Sequence, residues 1–312
     1  MKIDLQIHTR TCSDGNLSIE EVFEEAKSRG VELISITDHD SVDCQAMAIS
    51  LARAHGISYI TGVELNVTFQ YTGGKSAVGV RDDPDYGDHP GGKPVSLDFL
   101  GYRYDIYNHE LKSKLQVMKS HREKRARQIL ENLNAEFDKE GMERFTEEDL
   151  RKIQGSVDGV FGRPHIANYL IKKRIVKDKQ EAFDKYLVKC NVPKYPLSLA
   201  EASRLIRDAG GILVLAHPND PNGTSLVSIT RDLEAQTRII EEHMLDYING
   251  VECWHSRHDA QATQHYIEFA GKHSLIMTGG SDCHQQPVLI GTLDIPGWVA
   301  EQFAPARGRR LK

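Results

Sequence analysis

The sequence predicts an α/β fold: a barrel of alternating strands and helices with a small helical domain inserted into it. Three observations carry this reading. Short apolar strands recur with helical stretches between them, a His, Asp or Glu stands at the carboxyl end of nearly every strand, and one long charged helical block interrupts the rhythm. The chain has 312 residues, enough for one large barrel core with a minor insertion but cramped for three independent domains.

Taken in order, Ile3, Leu5 and Ile7 alternate with Asp4, Gln6 and His8, a period of two that reads as a strand presenting Gln6 and His8 on one face. Ser18-Ile19-Glu20-Glu21 fits a capping box. Ile19, Val22, Phe23 and Ala26 form a helical stripe, and Gly30 is a natural stop. Leu33 to Thr37 is a second strand ending in Asp38-His39-Asp40. A helix then runs to His55-Gly56, followed by a third strand from Tyr59 to Glu64. Each βα step implies parallel pairing. Tyr71 to Pro94, rich in Gly, Asp and Pro, reads as a mobile loop, and Val95 to Tyr104 as a strand.

Glu110 to Glu140 reads as a long charged helix, and the pattern stays helical to about Leu199. Strands then resume at Gly211–Ala216, Tyr247–Cys253 and Leu275–Gly279. The barrel is therefore discontinuous, made of residues 1–104 and 199–300, with a helical insertion over 105–198 and a C-terminal tail over 301–312.

Composition narrows the function classes. With 39 Lys+Arg against 45 Asp+Glu the net charge is −6, which offers no footprint for bulk nucleic-acid binding. Met1-Lys2-Ile3-Asp4 lacks the apolar core of a secretion signal, and the longest aliphatic stretch, Ile212 to Ala216, is far too short to span a membrane. Five widely spaced cysteines, with no C-x-x-C pair, point to a reducing, cytoplasmic location rather than a disulfide framework. Cys12 and Cys283 read as packing neighbours of the strand ends.

The chemistry is expected where the strands end. His8, His39, Glu64, His217, Asp282 and His284 all fall there, and in a βα barrel those ends converge on one mouth. One such histidine is more often structural, but six at equivalent positions are a ligand set for Zn²⁺, Mn²⁺ or Fe²⁺.

Gln6-Ile7-His8 with Ser13-Asp14-Gly15, Thr37-Asp38-His39, Gly62-Val63-Glu64, Ala216-His217-Pro218 and Gly280-Ser281-Asp282-Cys283-His284 together resemble the ordered motifs of the PHP (polymerase and histidinol phosphatase) phosphoesterases. Gly162-Arg163-Pro164-His165, Tyr186-Leu187 and Ala209-Gly210-Gly211 resemble the nucleotide phosphatase and exonuclease-like branch of that family. The resemblance covers residue 2 to about 285. It implies a distorted (β/α)7 barrel with two or three divalent metal ions. Gln6, His8, Glu64 and Asp282 would surround the first, Glu64, Asp98 and His217 the second, and Asp14, His39 and His284 the third.

Two positions depart from the family pattern, which has His where this chain has Gln6 and Asp98. An amide is a neutral, weaker ligand than imidazole. A carboxylate is harder and anionic, favouring Mn²⁺ or Fe²⁺ over Zn²⁺. Four carboxylates supply about −4, three divalent ions about +6 and a bridging hydroxide about −1, leaving roughly +1 to meet a phosphate. The implied reaction is attack of that hydroxide on phosphorus. The expected substrate is a small phosphomonoester, a nucleoside monophosphate or 3′,5′-bisphosphate.

Arg163 and His165 are the candidate catalytic and phosphate-gripping pair, since a guanidinium holds two phosphate oxygens and an imidazole can protonate a leaving oxygen. The alternative is that they only cap a helix starting near Pro164. His255 is a further candidate substrate contact, facing either the mouth or solvent. The basic run from Lys119 to Arg127, diluted by Glu123, reads as a solvated helix face, so extended nucleic acid is the lesser alternative as partner. Gly74-Lys75-Ser76 resembles the end of a P-loop, but Phe69 stands where the first glycine is needed. The competing readings are a phosphodiesterase acting on small cyclic phosphates or on short RNA from its 5′ end, and a metal-poor binding module without catalysis.

Overall fold

In the computed structural model, which describes residues 1–71, 93–154, 163–284 and 287–303, the first segment follows the predicted rhythm: β1 (Ile3–Ile7), α1 (Ile19–Ser28), β2 (Leu33–Ile36), α2 (Gln45–His55) and β3 (Ser58–Tyr59). The Ser18 hydroxyl accepts from the Glu21 amide while the Glu21 carboxylate accepts from the Ser18 amide, so the capping box is formed. The stripe Ile19, Val22, Phe23 and Ala26 is buried, and Gly30 ends the turn at φ 68°. These three strands pair in parallel, in the order β1-β2-β3.

The second sheet, β4 (Gly62–Tyr71), β5 (Lys93–Tyr102), β6 (Ile212–Leu215), β7 (Gly250–His255) and β8 (Ile276–Gly280), departs from a uniform βα barrel. The strand expected from Tyr59 to Glu64 is two strands broken at Ile60–Thr61. β4 pairs antiparallel with β5, and β5 with β6, while β6, β7 and β8 are parallel. No closed (β/α)7 barrel forms among the described residues. The two ladders meet through isolated bridges, Ile7 with Cys283 and His39 with Glu64. The Tyr102 hydroxyl also donates to the Leu5 carbonyl at 2.8 Å. Register shifts within β1–β2 and within β7–β8 interrupt the ladders beside those bridges, so strand ends converge without a continuous hydrogen-bonded wall.

Between β5 and β6 come α3 (His109–Glu140), α4 (Glu147–Gln154), α5 (Arg163–Lys172), α6 (Lys179–Ala182), a π-helical turn (Phe183–Leu187) and α7 (Leu199–Asp208). Leu111, Leu115 and Met118 of α3 pack with Val63, Leu65 and Phe99 of the second sheet. Further along, Ile129, Leu133 and Phe137 pack with Ile153, Leu170 and Tyr186 in a separate core. One helix thus joins two cores. α8 (Leu233–His243) and α9 (Ala260–Lys272) alternate with the last strands, and α10 (Trp298–Glu301) follows.

One cysteine expectation is corrected: Cys12 and Cys44, 32 residues apart in sequence, form a disulfide. The spacing hid it because the loop after β1 and the start of α2 become neighbours only in the fold. The Tyr71–Pro94 loop and the Gly74-Lys75-Ser76 fragment lie almost wholly outside the described residues, as does most of the 301–312 tail. Among the described residues no helix is long and apolar enough to cross a membrane.

Candidate metal centre

Most predicted ligands sit at or just beyond a strand end, but Glu64 stands near the start of β4, Asp98 midway along β5 and Asp14 in the loop after β1, so the strand-end expectation for Glu64 is corrected. β1 supplies Gln6 and then His8, the following loop Asp14, the end of β2 His39, β4 Glu64, β5 Asp98, the end of β6 His217, and the end of β8 Asp282 and His284. They converge on Glu64. Its Oε1 lies 2.9 Å from His217 Nε2 and accepts from Gln6 Nε2 at 3.0 Å. Its Oε2 lies 3.1 Å from both His8 Nε2 and His39 Nδ1. Around this centre, His8 Nε2 is 3.2 Å from Asp282 Oδ1, and Asp14 Oδ1 is 3.4 Å from His284 Nε2 and 3.8 Å from His39 Nε2. His217 Nε2 is 4.0 Å from Asp98 Oδ2.

Three overlapping groups result: His8, Glu64 and Asp282; Glu64, Asp98 and His217; and His8, Asp14, His39 and His284. Within each, the donor atoms lie within 4.8 Å of one another. The residues suit divalent cations on a second ground. His8 Nε2, Glu64 Oε2 and Asp282 Oδ1 are buried and close together, yet none makes an aligned hydrogen bond, and the Gln6 Oε1 is likewise unpartnered. Buried polar atoms are normally satisfied. Four orphaned lone-pair donors aimed into one region are what a cation would satisfy.

The electrostatics agree. Burial would raise the Glu64 carboxyl, but His39, His217 and His8 hold it well below the usual carboxylate range. Burial opposes charge on His217, yet Glu64, Asp282 and Asp98 push it up to about 10. Asp98 moves the other way: burial and the Glu64 charge push it up to about 6. Without a cation the cluster holds protons in its place.

Neighbouring groups fix the ligands. The Asp38 carboxylate accepts from the Thr9 amide at 2.7 Å and hydroxyl at 2.8 Å, anchoring the turn after His8. Glu252 is buried in β7 and accepts from the His217 amide at 2.9 Å. Asp98 is held by the amide of Asn66 at 2.6 Å and by the hydroxyl of Thr224. His217 and Asp282 adopt left-handed backbone, φ 25° and 52°, which is uncommon for residues other than glycine and recurs at functional sites.

A cavity of about 550 Å³ opens above the cluster. Its lining includes Asp14, His39, Glu64, Asp98, His217, Asp282 and His284 together with His121, Arg122, Arg125, Arg163, His165 and Lys194. Gln6 and His8 are buried beneath it. Arg163 and His165 begin α5, as a helix-capping role also required, and both line the cavity.

Two further expectations change. His255 faces neither solvent nor cavity: it is 2% exposed and lies behind Asp282, with Nε2 3.4 Å from its Oδ2. The Lys119–Arg127 run is not uniformly solvated, because Arg122 pairs with Asp40 and Arg125 is buried, donating to the Val192 carbonyl. The strand face bearing Gln6 and His8 is wholly enclosed. Sequence reasoning missed Arg257, Lys194, Asn66 and Glu252. Only Glu252, an acid inside the apolar run Val251–Cys253, carried a signal.

Comparison with known proteins places this geometry. A family profile described as PHP domain matches residues 4–191. A 3′,5′-nucleoside bisphosphate phosphatase from Chromobacterium violaceum is 28% identical over 297 residues, 90% of this chain and 87% of that one. A 5′-3′ exoribonuclease from Haemophilus influenzae is 29% identical over 224 residues, 70% of this chain and 69% of that one. A solved structure of a Chromobacterium violaceum amidohydrolase with bound sulfate and no metal superimposes with a TM-score of 0.68 at 27% identity, covering 95% of this chain and 93% of that one.

Proposed function

The chain belongs to the PHP domain family, and on that premise we propose that it is a metal-dependent phosphoesterase releasing phosphate from small nucleotides, foremost 3′,5′-nucleoside bisphosphates or nucleoside monophosphates. The observation that carries this is that an acid-and-imidazole cluster and several cationic side chains line one cavity of about 550 Å³. That volume suits a small phosphorylated ligand.

His8, Glu64 and Asp282, with Asp98 and His217 and with Asp14, His39 and His284, would hold two or three divalent ions. Gln6 would add a neutral oxygen. Bound there, such ions supply Lewis acidity and lower the pKa of an attacking water. Asp98 in place of imidazole favours Mn²⁺ or Fe²⁺ over Zn²⁺. Arg163 grips the phosphate by its two-pronged donor geometry, and His165 is placed to donate a proton to the leaving oxygen. Residues 105–198, read as an inserted helical unit with its own core, cover base and sugar.

Hydrolysis of short RNA from its 5′ end is the second reading. It is supported by the similarity to the exoribonuclease and by Lys124 and Arg127, exposed on α3 outside the cavity. The test is phosphate release by purified protein with Mn²⁺ from 3′,5′-bisphosphates, 5′-monophosphates, cyclic phosphates and 5′-phosphorylated oligoribonucleotides. The expected result is fastest turnover of a mononucleotide, abolished by chelation. Turnover unaffected by chelation, or none on any phosphate ester, overturns the proposal.

A further inference from the structure

Asp282 is engaged on both oxygens. Oδ1 faces His8 Nε2 at 3.2 Å and His284 Nδ1 at 3.3 Å, while Oδ2 accepts a 2.6 Å hydrogen bond from Arg257 Nη2. The same guanidinium holds Asp220, whose Oδ2 accepts from Nε at 2.9 Å and lies 2.8 Å from Nη2. His255 completes the group: it is 2% exposed, and its Nε2 points at Asp282 without an aligned hydrogen bond.

Asp220, His255 and Asp282 place their donor atoms within 4.8 Å of one another, and all three are buried. Two carboxylates and an imidazole in that arrangement are a divalent-cation ligand set. Two buried carboxylates side by side also require positive charge nearby. Here a guanidinium provides it, planar, permanently charged and forked.

We infer that Arg257 is a built-in cation. It takes the place of a divalent ion among Asp220, His255 and Asp282, and it confines Asp282 to one oxygen, Oδ1, for the ion shared with His8 and Glu64. Arg257 is thus a positioning residue, acting through Asp282. The inference rests on the metal-binding reading of His8, Glu64 and Asp282 given above. It gives Gln6 a context: with an amide instead of an imidazole in the first ligand set, the direction of Asp282 Oδ1 weighs more in holding that ion.

The experiment is equilibrium dialysis of the full chain against Mn²⁺, with bound metal counted by elemental analysis, for wild type, Arg257→Met, Arg257→Lys and Asp220→Asn. Arg257→Met is expected to bind one more Mn²⁺ per chain than wild type, and the double variant Arg257→Met/Asp220→Asn to lose that extra ion. Arg257→Lys and Asp220→Asn should keep the wild-type count, the first because a fixed charge remains and the second because Asp220 is occupied by Arg257 and the Asn222 amide rather than by an ion. A folded Arg257→Met with the wild-type count overturns the inference, as does an Arg257→Lys that gains an ion. If Arg257→Met does not fold, Asp220→Asn decides: a count one below wild type makes Asp220 a metal ligand and refutes the guanidinium's role. Wild type that binds no Mn²⁺ at all sinks the metal reading itself, a separate and visible failure.

Discussion

Glu64 Oε1 lies 2.9 Å from His217 Nε2, although 153 residues separate the two. With His8 and His39 each 3.1 Å from the other oxygen, this carboxylate is the common member of two of the three ligand groups. Glu64→Gln therefore weakens two groups at once. It is expected to lose Mn²⁺ and to lower activity by more than about 100-fold, beyond the 10–100-fold typical of outer-shell partners. Elemental analysis and phosphate release check this, and retention of wild-type metal content would refute the central role given to Glu64.

Metal uptake should expel protons. Burial opposes charge on His217, but Glu64, Asp282 and Asp98 raise it to about 10, so at neutral pH the metal-free chain carries that proton, and a cation needs the neutral ring. Apparent affinity should fall on acidification and rise with pH, by up to ~10-fold per pH unit for each proton released. In the metal-free chain the same raised pKa stabilises the fold fully below the ordinary histidine range, and that contribution is lost as pH rises through about 10. Calorimetric titration with Mn²⁺ in buffers of different ionisation enthalpy reads the proton count. A heat independent of buffer contradicts this account.

Among the described residues Arg163 makes no ion pair: Nη1 lies 3.5 Å from the Leu187 carbonyl, and the guanidinium is 5.6 Å from the Phe183 ring centre. Losing a charge-assisted contact to phosphate costs about 1.5–3 kcal/mol. Arg163→Ala should accordingly lower kcat/KM roughly 10–100-fold and weaken inhibition by inorganic phosphate, with metal content unchanged. Unaltered phosphate inhibition would mean that Arg163 only begins its helix.

Gly280 sits where β8 crosses β1, and a Cβ there would come within 2.3 Å of the Gln6 amide nitrogen. Backbone cannot yield as a flexible side chain can, so Gly280→Ala should destabilise by about 1–3 kcal/mol. It should also displace Gln6 and Asp282 together, appearing as a lower Tm and weaker Mn²⁺ binding. An unchanged Tm would show that the two strands have slack.

Much of the site was readable because its ligands are chemically unusual where they stand. Acids and imidazoles beside apolar strands need a reason, and His8, His39, Glu64, His217, Asp282 and His284 were visible on that ground, whereas Asp14 and Asp98 came only through the family resemblance. The α1 capping box and the Gly30 stop were visible because they are local, decided within a few residues. What local pattern could not resolve was strand direction. The break at Ile60–Thr61 and the antiparallel β4–β5 pair depend on partners far along the chain, and alternation looks the same in either orientation.

The sequence by itself determined where the long helix runs and that acids and imidazoles beside the strands form a divalent-metal ligand set, because these follow from short-range periodicity and from side-chain chemistry; the direction of that chemistry toward phosphate came from the family resemblance. Only the tertiary structure decided that Arg257 clasps Asp282 and Asp220, that His255 is buried behind them, that Arg122 and Arg125 turn inward, and that Cys12 meets Cys44. Those pairings are set by how two sheets and a two-core helix pack, and contacts made across tens of residues leave no periodic trace in the order of the letters.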